Sequence, residues 1–176
     1  MKRAEAPEAI LFYRAARRLF LVLAGPLFRF EVRGRELVPE SGAAVVVAPH
    51  RSWLDPACVG AAVHRPVRFL IVDNMYHKPW AKWFYRGMRS MPVTKGGAAS
   101  LSALRGALSC LRRGELVGIF PEGRVLGSWE KGSIQPGAAM LAIRSGAPII
   151  PLGIHGSAKA WPHGRPFPRP AEVSVR

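Results

Sequence analysis

The sequence predicts a single-domain α/β protein with a mixed, largely parallel sheet flanked by helices. Short apolar segments typical of buried strands alternate along the chain with longer segments that have helical periodicity. This alternation is typical of a sheet whose strands are joined by helical crossovers. A chain of 176 residues is also long enough to bury one substantial core.

The apolar segments predicted as strands cover residues 43–48, 67–72, 90–94, 116–120 and 148–153. The helices predicted between them cover residues 56–63, 78–88, 99–112 and 137–145. A proline-rich loop at 161–170 leads into a further predicted strand at 171–175. Because nothing follows this last strand, we expect that the natural chain continues beyond Arg176.

A histidine and an aspartate bracket the turn between the first long strand and the helix after it. His50 follows the valine-rich strand, and Asp55 precedes Pro56, which suits a helix start with Asp55 as its cap. Across such a turn the carboxylate can accept a hydrogen bond from one imidazole nitrogen, so that the other faces a substrate hydroxyl. The alternative is that Asp55 only caps the helix and His50 only ends a loop.

Polar residues also follow the predicted strand 116–120. Pro121 is succeeded by Glu122, Gly123 and Arg124, again at the carboxyl end of a strand. Open α/β sheets bind ligands at this edge. We therefore expect the residues after the two strands to contribute to one site.

The order of these motifs resembles the glycerolipid acyltransferase family, best known from bacterial 1-acyl-sn-glycerol-3-phosphate acyltransferases. The resemblance is carried by the His-x-x-x-x-Asp turn that starts at His50 and by Phe-Pro-Glu-Gly at residues 120–123. Two apolar segments, 91–95 and 147–153, fit the family's remaining blocks. The resemblance extends from about Pro49 to Gly153.

The resemblance implies that His50 acts as a general base on the free hydroxyl of a lysophospholipid. The hydroxyl would attack the thioester of acyl-CoA or acyl carrier protein, and Asp55 would orient the imidazole. The best-known members imply 1-acylglycerol 3-phosphate as acceptor and phosphatidic acid as product. The acyl donor is a co-substrate, so the resemblance implies no cofactor and no metal.

The resemblance assigns substrate binding to Glu122, Gly123, Arg124 and Lys95, with the two cations available for the acceptor phosphate. Two departures from the family pattern leave the acceptor open. Arg124 follows Gly123 directly where most members insert a threonine, and Lys95 stands where most have arginine. A different acceptor, such as a lyso-aminolipid or a glycolipid, is therefore the alternative function, and a non-catalytic membrane-binding protein is the third.

The chain is strongly basic, with 26 Lys and Arg against 11 Asp and Glu and a formal net charge of +15. Basic surfaces attract anionic partners such as lipid headgroups, coenzyme A or nucleic acid. No zinc-finger spacing, helix-turn-helix or RNA-binding motif accompanies the charge, so we predict a lipid surface and no nucleic acid. The widely separated Cys58 and Cys110 predict buried thiols in a reducing compartment.

The amino-terminal region, residues 1–30, is predicted as an amphipathic helix at the membrane interface, followed by an acyltransferase domain at 31–176. The helix carries Arg14, Arg17 and Arg18 before the uncharged stretch 19–28, which is too short to span a bilayer. The alternative is an amphipathic helix packed on the domain. The arginines interrupt any signal-peptide pattern. We therefore expect a peripheral or monotopic protein at the cytoplasmic face of the cell membrane.

Overall fold

The computed structural model of the chain describes residues 7–93, 97–127 and 132–176. Its main feature is a five-stranded parallel sheet with the strand order β4-β3-β5-β2-β6. The strands are β2 (Ala44–Val47), β3 (Val67–Val72), β4 (Met91–Val93), β5 (Leu116–Ile119) and β6 (Ile149–Pro151). This parallel sheet confirms the predicted fold class.

The helices that connect and flank the strands are α1 (Pro7–Phe28), α2 (Asp55–Ala62), α3 (Asp73–Tyr76), α4 (Pro79–Gly87), α5 (Gly97–Arg112), α6 (Gly137–Ser145) and α7 (Ser157–Ala160). A short 3-10 helix covers Arg35–Leu37. The four helices predicted between the sheet strands are present, with ends shifted by no more than two residues. The short helix α3 was not predicted, because four residues are too few for a helical periodicity to show.

A second, smaller sheet joins the segment that follows α1 to the last residues of the sequence. It contains β1 (Glu31–Val32), β8 (Ser174–Val175) and β7 (Ile154–His155), with β1 parallel and β7 antiparallel to the central β8. The strand predicted at 148–153 is therefore too long. The chain leaves the main sheet after Pro151, and Gly153 exchanges backbone hydrogen bonds with Arg176 at 2.8 and 3.0 Å as it enters the second sheet.

The strand order places β2 and β5 side by side at the centre of the main sheet, paired in register from Ala44 with Leu116 to Val47 with Ile119. From β2 the chain passes through α2 to β3, and from β5 it passes through α6 to β6, so the two connections leave in opposite directions. A crevice forms at the carboxyl edge of a sheet where the connections diverge in this way. The residues that follow Val47 and Ile119 therefore lie together.

The side chains of the strands alternate between two apolar cores. On β2, Val46 packs towards α2, whereas Val45 packs towards α5 and α6. The core on the α2 side contains Val38, Ala44, Val46, Ala48, Val59, Val63, Val67, Phe69 and Leu116. Because both faces are covered, the central strands have the continuous apolar sequences typical of buried parallel strands.

A buried ion pair closes the opposite end of the sheet from the crevice. The Arg68 Nε atom on β3 lies 3.1 Å from Glu115 Oε2, and both side chains are almost fully buried. Arg113 adds a 2.8 Å contact from Nε to Glu115 Oε1. Burial opposes ionisation of Glu115, but the hydrogen bond from Arg113 and the charges of Arg68 and Arg113 outweigh it, so the pKa of this carboxyl lies below its usual value.

The helix α1 is docked on the domain along one face. Tyr13 is buried and its hydroxyl donates to the Gly60 carbonyl at 3.2 Å, while Ala24 and Phe28 are buried further along the helix. Arg17 donates through Nη2 to the Ala61 carbonyl at 2.9 Å, near the carboxyl end of α2. Within the described ranges, no helix combines the length and apolarity that a membrane span requires.

Candidate active site

The crevice between β2 and β5 brings together the predicted residues His50, Asp55 and Glu122. His50 lies in the turn after β2, Asp55 begins the helix α2 that follows this turn, and Glu122 lies in the turn after β5. The backbone amide of His50 lies 3.4 Å from Glu122 Oε1, which joins the two turns directly. His50 and Glu122 are 72 positions apart in the sequence. The parallel pairing of β2 with β5 places both at the carboxyl edge of the sheet.

The His50 imidazole is oriented by Asp55. Nδ1 of His50 lies 3.2 Å from Asp55 Oδ2, and the same oxygen accepts hydrogen bonds from the amides of Arg51 at 2.6 Å and Ser52 at 2.7 Å. The Asp55 side chain is 1% exposed and that of His50 is 15% exposed. Two amide hydrogen bonds to one carboxylate oxygen fix the position of the Asp55 side chain.

The predicted capping role of Asp55 is wrong. Asp55 is the first residue of α2, its helix has Leu54 in the capping position, and no side-chain cap is present. The carboxylate faces back and binds the amides of the preceding turn instead. It therefore organises the loop that carries His50 rather than the free amides of the helix.

This geometry assigns different tasks to the two imidazole nitrogens. The contact with the Asp55 carboxylate selects the tautomer in which Nδ1 of His50 carries the proton and donates it. Nε2 then has a free electron pair and can accept a proton from a hydroxyl group. The pair has the arrangement that general-base catalysis requires.

The Glu122 turn depends on a glycine backbone. The Gly123 amide donates to the Phe120 carbonyl at 3.0 Å, and Gly123 has φ of 66°, a left-handed conformation that glycine adopts at little cost. Gly123 therefore contributes to the site by shaping the turn with its backbone. Oε2 of Glu122 is buried and has no hydrogen-bond partner within the described part of the chain, so it is able to accept a hydrogen bond from a bound molecule.

Two further residues, Ser52 and Leu126, fix the His50 loop. Ser52 is buried, and its hydroxyl donates to the Trp161 carbonyl at 2.8 Å and accepts from the Leu54 amide at 3.1 Å. Leu126, also buried, donates its amide to the His50 carbonyl at 2.8 Å. These bonds are local to the folded site, and no spacing in the sequence indicates them.

The remaining predicted binding residues are less defined. Arg124 lies next to Gly123 in an exposed part of the turn. Lys95 lies outside the described residues. Both assignments to the acceptor phosphate therefore stay predictions.

The two cysteines are free and buried, as predicted from the sequence. Burial raises the pKa of the Cys58 and Cys110 thiols above the usual value, which keeps both neutral and unreactive. In the part of the chain that the structure describes, no group of three or more His, Cys, Asp and Glu side chains is placed to hold a metal ion.

A histidine with a buried carboxylate at the carboxyl edge of a parallel sheet is typical of the class of proteins that can take a proton from a bound molecule. Comparison with known protein families shows to which family within this class the chain belongs. The family model described as acyltransferase matches residues 29–155, which include both turns of the site. The chain belongs to the acyltransferase family.

Individual relatives agree with this assignment. The chain is 27% identical over 157 residues to a 1-acyl-sn-glycerol-3-phosphate acyltransferase of Pseudomonas aeruginosa, covering 88% of the chain and 59% of that protein. It is 26% identical over 141 residues to a chloroplast 1-acyl-sn-glycerol-3-phosphate acyltransferase of Arabidopsis thaliana, covering 79% of the chain and 39% of that protein. The chain thus spans between about two fifths and three fifths of these relatives.

A solved structure supports the same fold. The crystal structure of the 1-acyl-sn-glycerophosphate acyltransferase from Thermotoga maritima superposes with a TM-score of 0.76 at 25% sequence identity. The match covers 95% of this chain and 66% of that one. It includes nearly all of the architecture described above.

Proposed function

We propose that this protein transfers a fatty acyl group from acyl-CoA or acyl carrier protein to the free hydroxyl of a lysophospholipid. The proposed acceptor is 1-acylglycerol 3-phosphate, which would give phosphatidic acid. One observation carries the proposal: His50 is bound by a buried carboxylate at Nδ1, beside Glu122, in a chain of the acyltransferase family. The relatives named above are acyltransferases that act on this acceptor class.

In the proposed reaction, Nε2 of His50 takes the proton of the acceptor hydroxyl as its oxygen attacks the thioester carbonyl. The carbon–oxygen bond forms, the carbon–sulfur bond breaks, and the departing thiolate recovers the proton from His50. The Asp55 carboxylate stabilises the imidazolium that exists between these two steps. General-base catalysis of this kind contributes about 10²- to 10⁴-fold, and the positioning of the two substrates supplies the rest.

The transfer is proposed to be direct, without an acyl-enzyme. Ser52 is the hydroxyl nearest in sequence to His50, but it is buried and bonded at the oxygen to Trp161 and Leu54. Cys58 is buried and its thiol stays protonated because burial raises its pKa. Neither side chain is available as a nucleophile.

The acceptor is proposed to be held on the β5 side of the site. Glu122 has a buried carboxylate oxygen able to accept a hydrogen bond from a glycerol hydroxyl. Arg124 and Lys95 are proposed to bind the acceptor phosphate. The sequence departs from the family pattern at both of these cations. This departure favours a second candidate, the same reaction with a lyso-aminolipid or glycolipid acceptor.

The protein is further proposed to act at the cytoplasmic face of the cell membrane as a peripheral or monotopic protein. The face of α1 opposite the docked side exposes apolar side chains: Leu11, Leu19, Val22, Leu23 and Leu27. Arg14 and Arg18 are exposed on the same helix. Such a face suits insertion among acyl chains with its cations near anionic headgroups. Trp83 of α4, 64% exposed, packs edge-on against Phe12 and would extend this surface.

The proposal is tested by incubating the protein with acyl-CoA and a panel of lysolipids and analysing the lipids by mass spectrometry. Wild type should convert 1-acylglycerol 3-phosphate to phosphatidic acid, and His50→Ala should not. His77→Ala is the matched control, because His77 also pairs with an aspartate, Asp73, at 3.2 Å but is exposed and outside the crevice.

The outcomes separate the candidate functions. Persistent transfer by the His50→Ala variant would contradict the mechanism. Transfer only to a lyso-aminolipid or glycolipid would favour the second acceptor class. Liposome binding without thioester consumption for any acceptor would favour a non-catalytic protein, against which the geometry of His50, Asp55 and Glu122 argues.

A further inference from the structure

The His50 ring is the outermost member of a stack of three aromatic rings. The Phe120 ring lies against the imidazole with centroids 4.2 Å apart and an interplanar angle of 19°. Phe69 of β3 stacks on Phe120 in turn, with centroids 5.6 Å apart and an angle of 6°. Phe69 is buried in the core on the α2 side of the sheet, so the stack connects the imidazole to the rigid interior.

A glycine makes this stack possible. Phe69 on β3 is paired in register with Gly118 on β5. A Cβ atom added to Gly118 would lie 2.7 Å from Phe69 Cδ1 and 2.8 Å from Val67 Cγ1, distances that force the neighbours to move. The Phe69 ring therefore occupies the space above β5 that a side chain at position 118 would fill.

We infer that Phe69 and Gly118 are positioning residues for His50, acting through Phe120. Asp55 holds the imidazole by one nitrogen at its edge, which leaves rotation about that contact open. The Phe120 ring fixes the plane of the imidazole, and Phe69, whose ring takes the space beside Gly118, fixes the plane of Phe120. Together the edge contact and the face contact determine where Nε2 points.

The stack also fits the charge that the reaction creates. A cation over the face of an aromatic ring is attracted by the negative electrostatic potential of that face. In the proposed function, on which this step rests, the imidazole becomes an imidazolium as it takes the proton. The Phe120 ring then stabilises the protonated His50 more than the neutral one, and the effect appears in kcat rather than in KM.

The test uses Phe69→Leu, Gly118→Ala and the double variant. Each single variant should lower kcat by about ten-fold, while KM for donor and acceptor changes less than about two-fold. The double variant should be no slower than the slower single variant, because both changes disturb the same contact. Phe30→Leu is the matched control: it removes a ring from the Phe20–Phe30 pair, 5.9 Å apart and away from the crevice, and should leave kcat unchanged.

A spectroscopic measurement keeps this inference separate from the proposed function. In protein labelled at histidine, the ring protons of His50 lie over Phe120 and are shielded by its ring current. Phe120→Leu gives the chemical shift of the His50 ring protons when the shielding is lost completely. Phe120→Tyr should retain the shielding. Phe69→Leu and Gly118→Ala should move the His50 resonances toward the Phe120→Leu value, whereas Phe30→Leu should not.

Unchanged His50 resonances in Phe69→Leu and Gly118→Ala would overturn the inference, whatever happens to kcat. Moved resonances with an unchanged kcat would overturn the positioning role. Failure of wild type to transfer an acyl group to any lysolipid would contradict the proposed function alone. In that case the resonances still decide whether the stack positions the imidazole.

Discussion

Asp55 Oδ2 lies 3.2 Å from His50 Nδ1 and is also the acceptor for the backbone amides of Arg51 and Ser52. One oxygen therefore sets both the ring nitrogen and the path of the loop that carries it. Oδ1 of the same carboxylate is buried without a hydrogen-bond partner among the described residues. This asymmetry determines what a conservative substitution at position 55 would do.

Asp55→Asn should lower kcat by about 10²- to 10⁴-fold, because a neutral amide cannot stabilise the imidazolium. The NH₂ group of the asparagine would either face the amide donors of Arg51 and Ser52 or take the buried place of Oδ1, where it has no acceptor among the described residues. Either arrangement should lower the unfolding free energy by about 1–3 kcal/mol. Acyl transfer and urea unfolding measure the two effects. Asp73→Asn, in the exposed pair with His77, should change neither by much, and equal losses in both variants would contradict the role of Asp55.

Glu122 is expected to have two separable roles, since Oε1 contacts the His50 amide and Oε2 has no partner among the described residues. Glu122→Gln retains an oxygen for the His50 amide but loses the charge, so it should mainly raise KM for the acceptor, by about ten-fold. Glu122→Ala releases the loop as well and should also lower kcat. Steady-state kinetics with varied acceptor decide this, with the exposed Glu172→Gln as control. Identical kinetics for the two Glu122 variants would argue against separate roles.

The exposed face of α1 is expected to bind membranes. Leu19→Ser with Leu23→Ser should weaken sedimentation with phospholipid vesicles by at least about ten-fold, since each leucine loses apolar surface that the bilayer would bury. Ile143→Ser, which removes an even more exposed apolar side chain from α6, should have no effect. Undiminished vesicle binding by the leucine variant would contradict the proposed surface.

The arginines of α1 are expected to differ in their roles. Arg14→Gln and Arg18→Gln should each weaken binding to anionic vesicles by about five-fold and leave binding to zwitterionic vesicles unchanged. Arg17→Gln should instead lower the stability of the protein, because Arg17 donates to the Ala61 carbonyl. Vesicle sedimentation and thermal unfolding of the same three variants separate attraction to the lipid surface from docking of the helix.

The buried Arg68–Glu115 pair should govern stability rather than activity. Glu115→Gln removes the buried negative charge that Arg68 and Arg113 contact and should cost about 3 kcal/mol of unfolding free energy at neutral pH. Because the folded pKa of Glu115 lies below the unfolded value of about 4.3, this contribution is present above that value and is lost as the pH falls through the folded pKa. The difference between wild type and variant should therefore shrink in acid. Glu31→Gln, in an exposed pair, should cost less than about 1 kcal/mol at any pH.

Local patterns predicted the strands well where burial on both faces makes the sequence continuously apolar. The strand Val67–Val72 has the predicted bounds, and β2 and β5 differ only at their ends. Asp55 shows the limit of such patterns. An aspartate before a proline indicates a helix start, but only the folded loop decides that its carboxylate binds the amides behind it rather than those ahead.

The sequence by itself determined the class of fold and the residues of the candidate site, because buried strands and the His50 and Glu122 motifs are local patterns. Tertiary structure alone decided how the site is held. Pairing of Phe69 with Gly118 across two strands built the stack behind His50, and docking of Tyr13 and Arg17 decided which face of α1 stays exposed. These contacts join residues distant in the chain, and their energies depend on distances that no local pattern encodes.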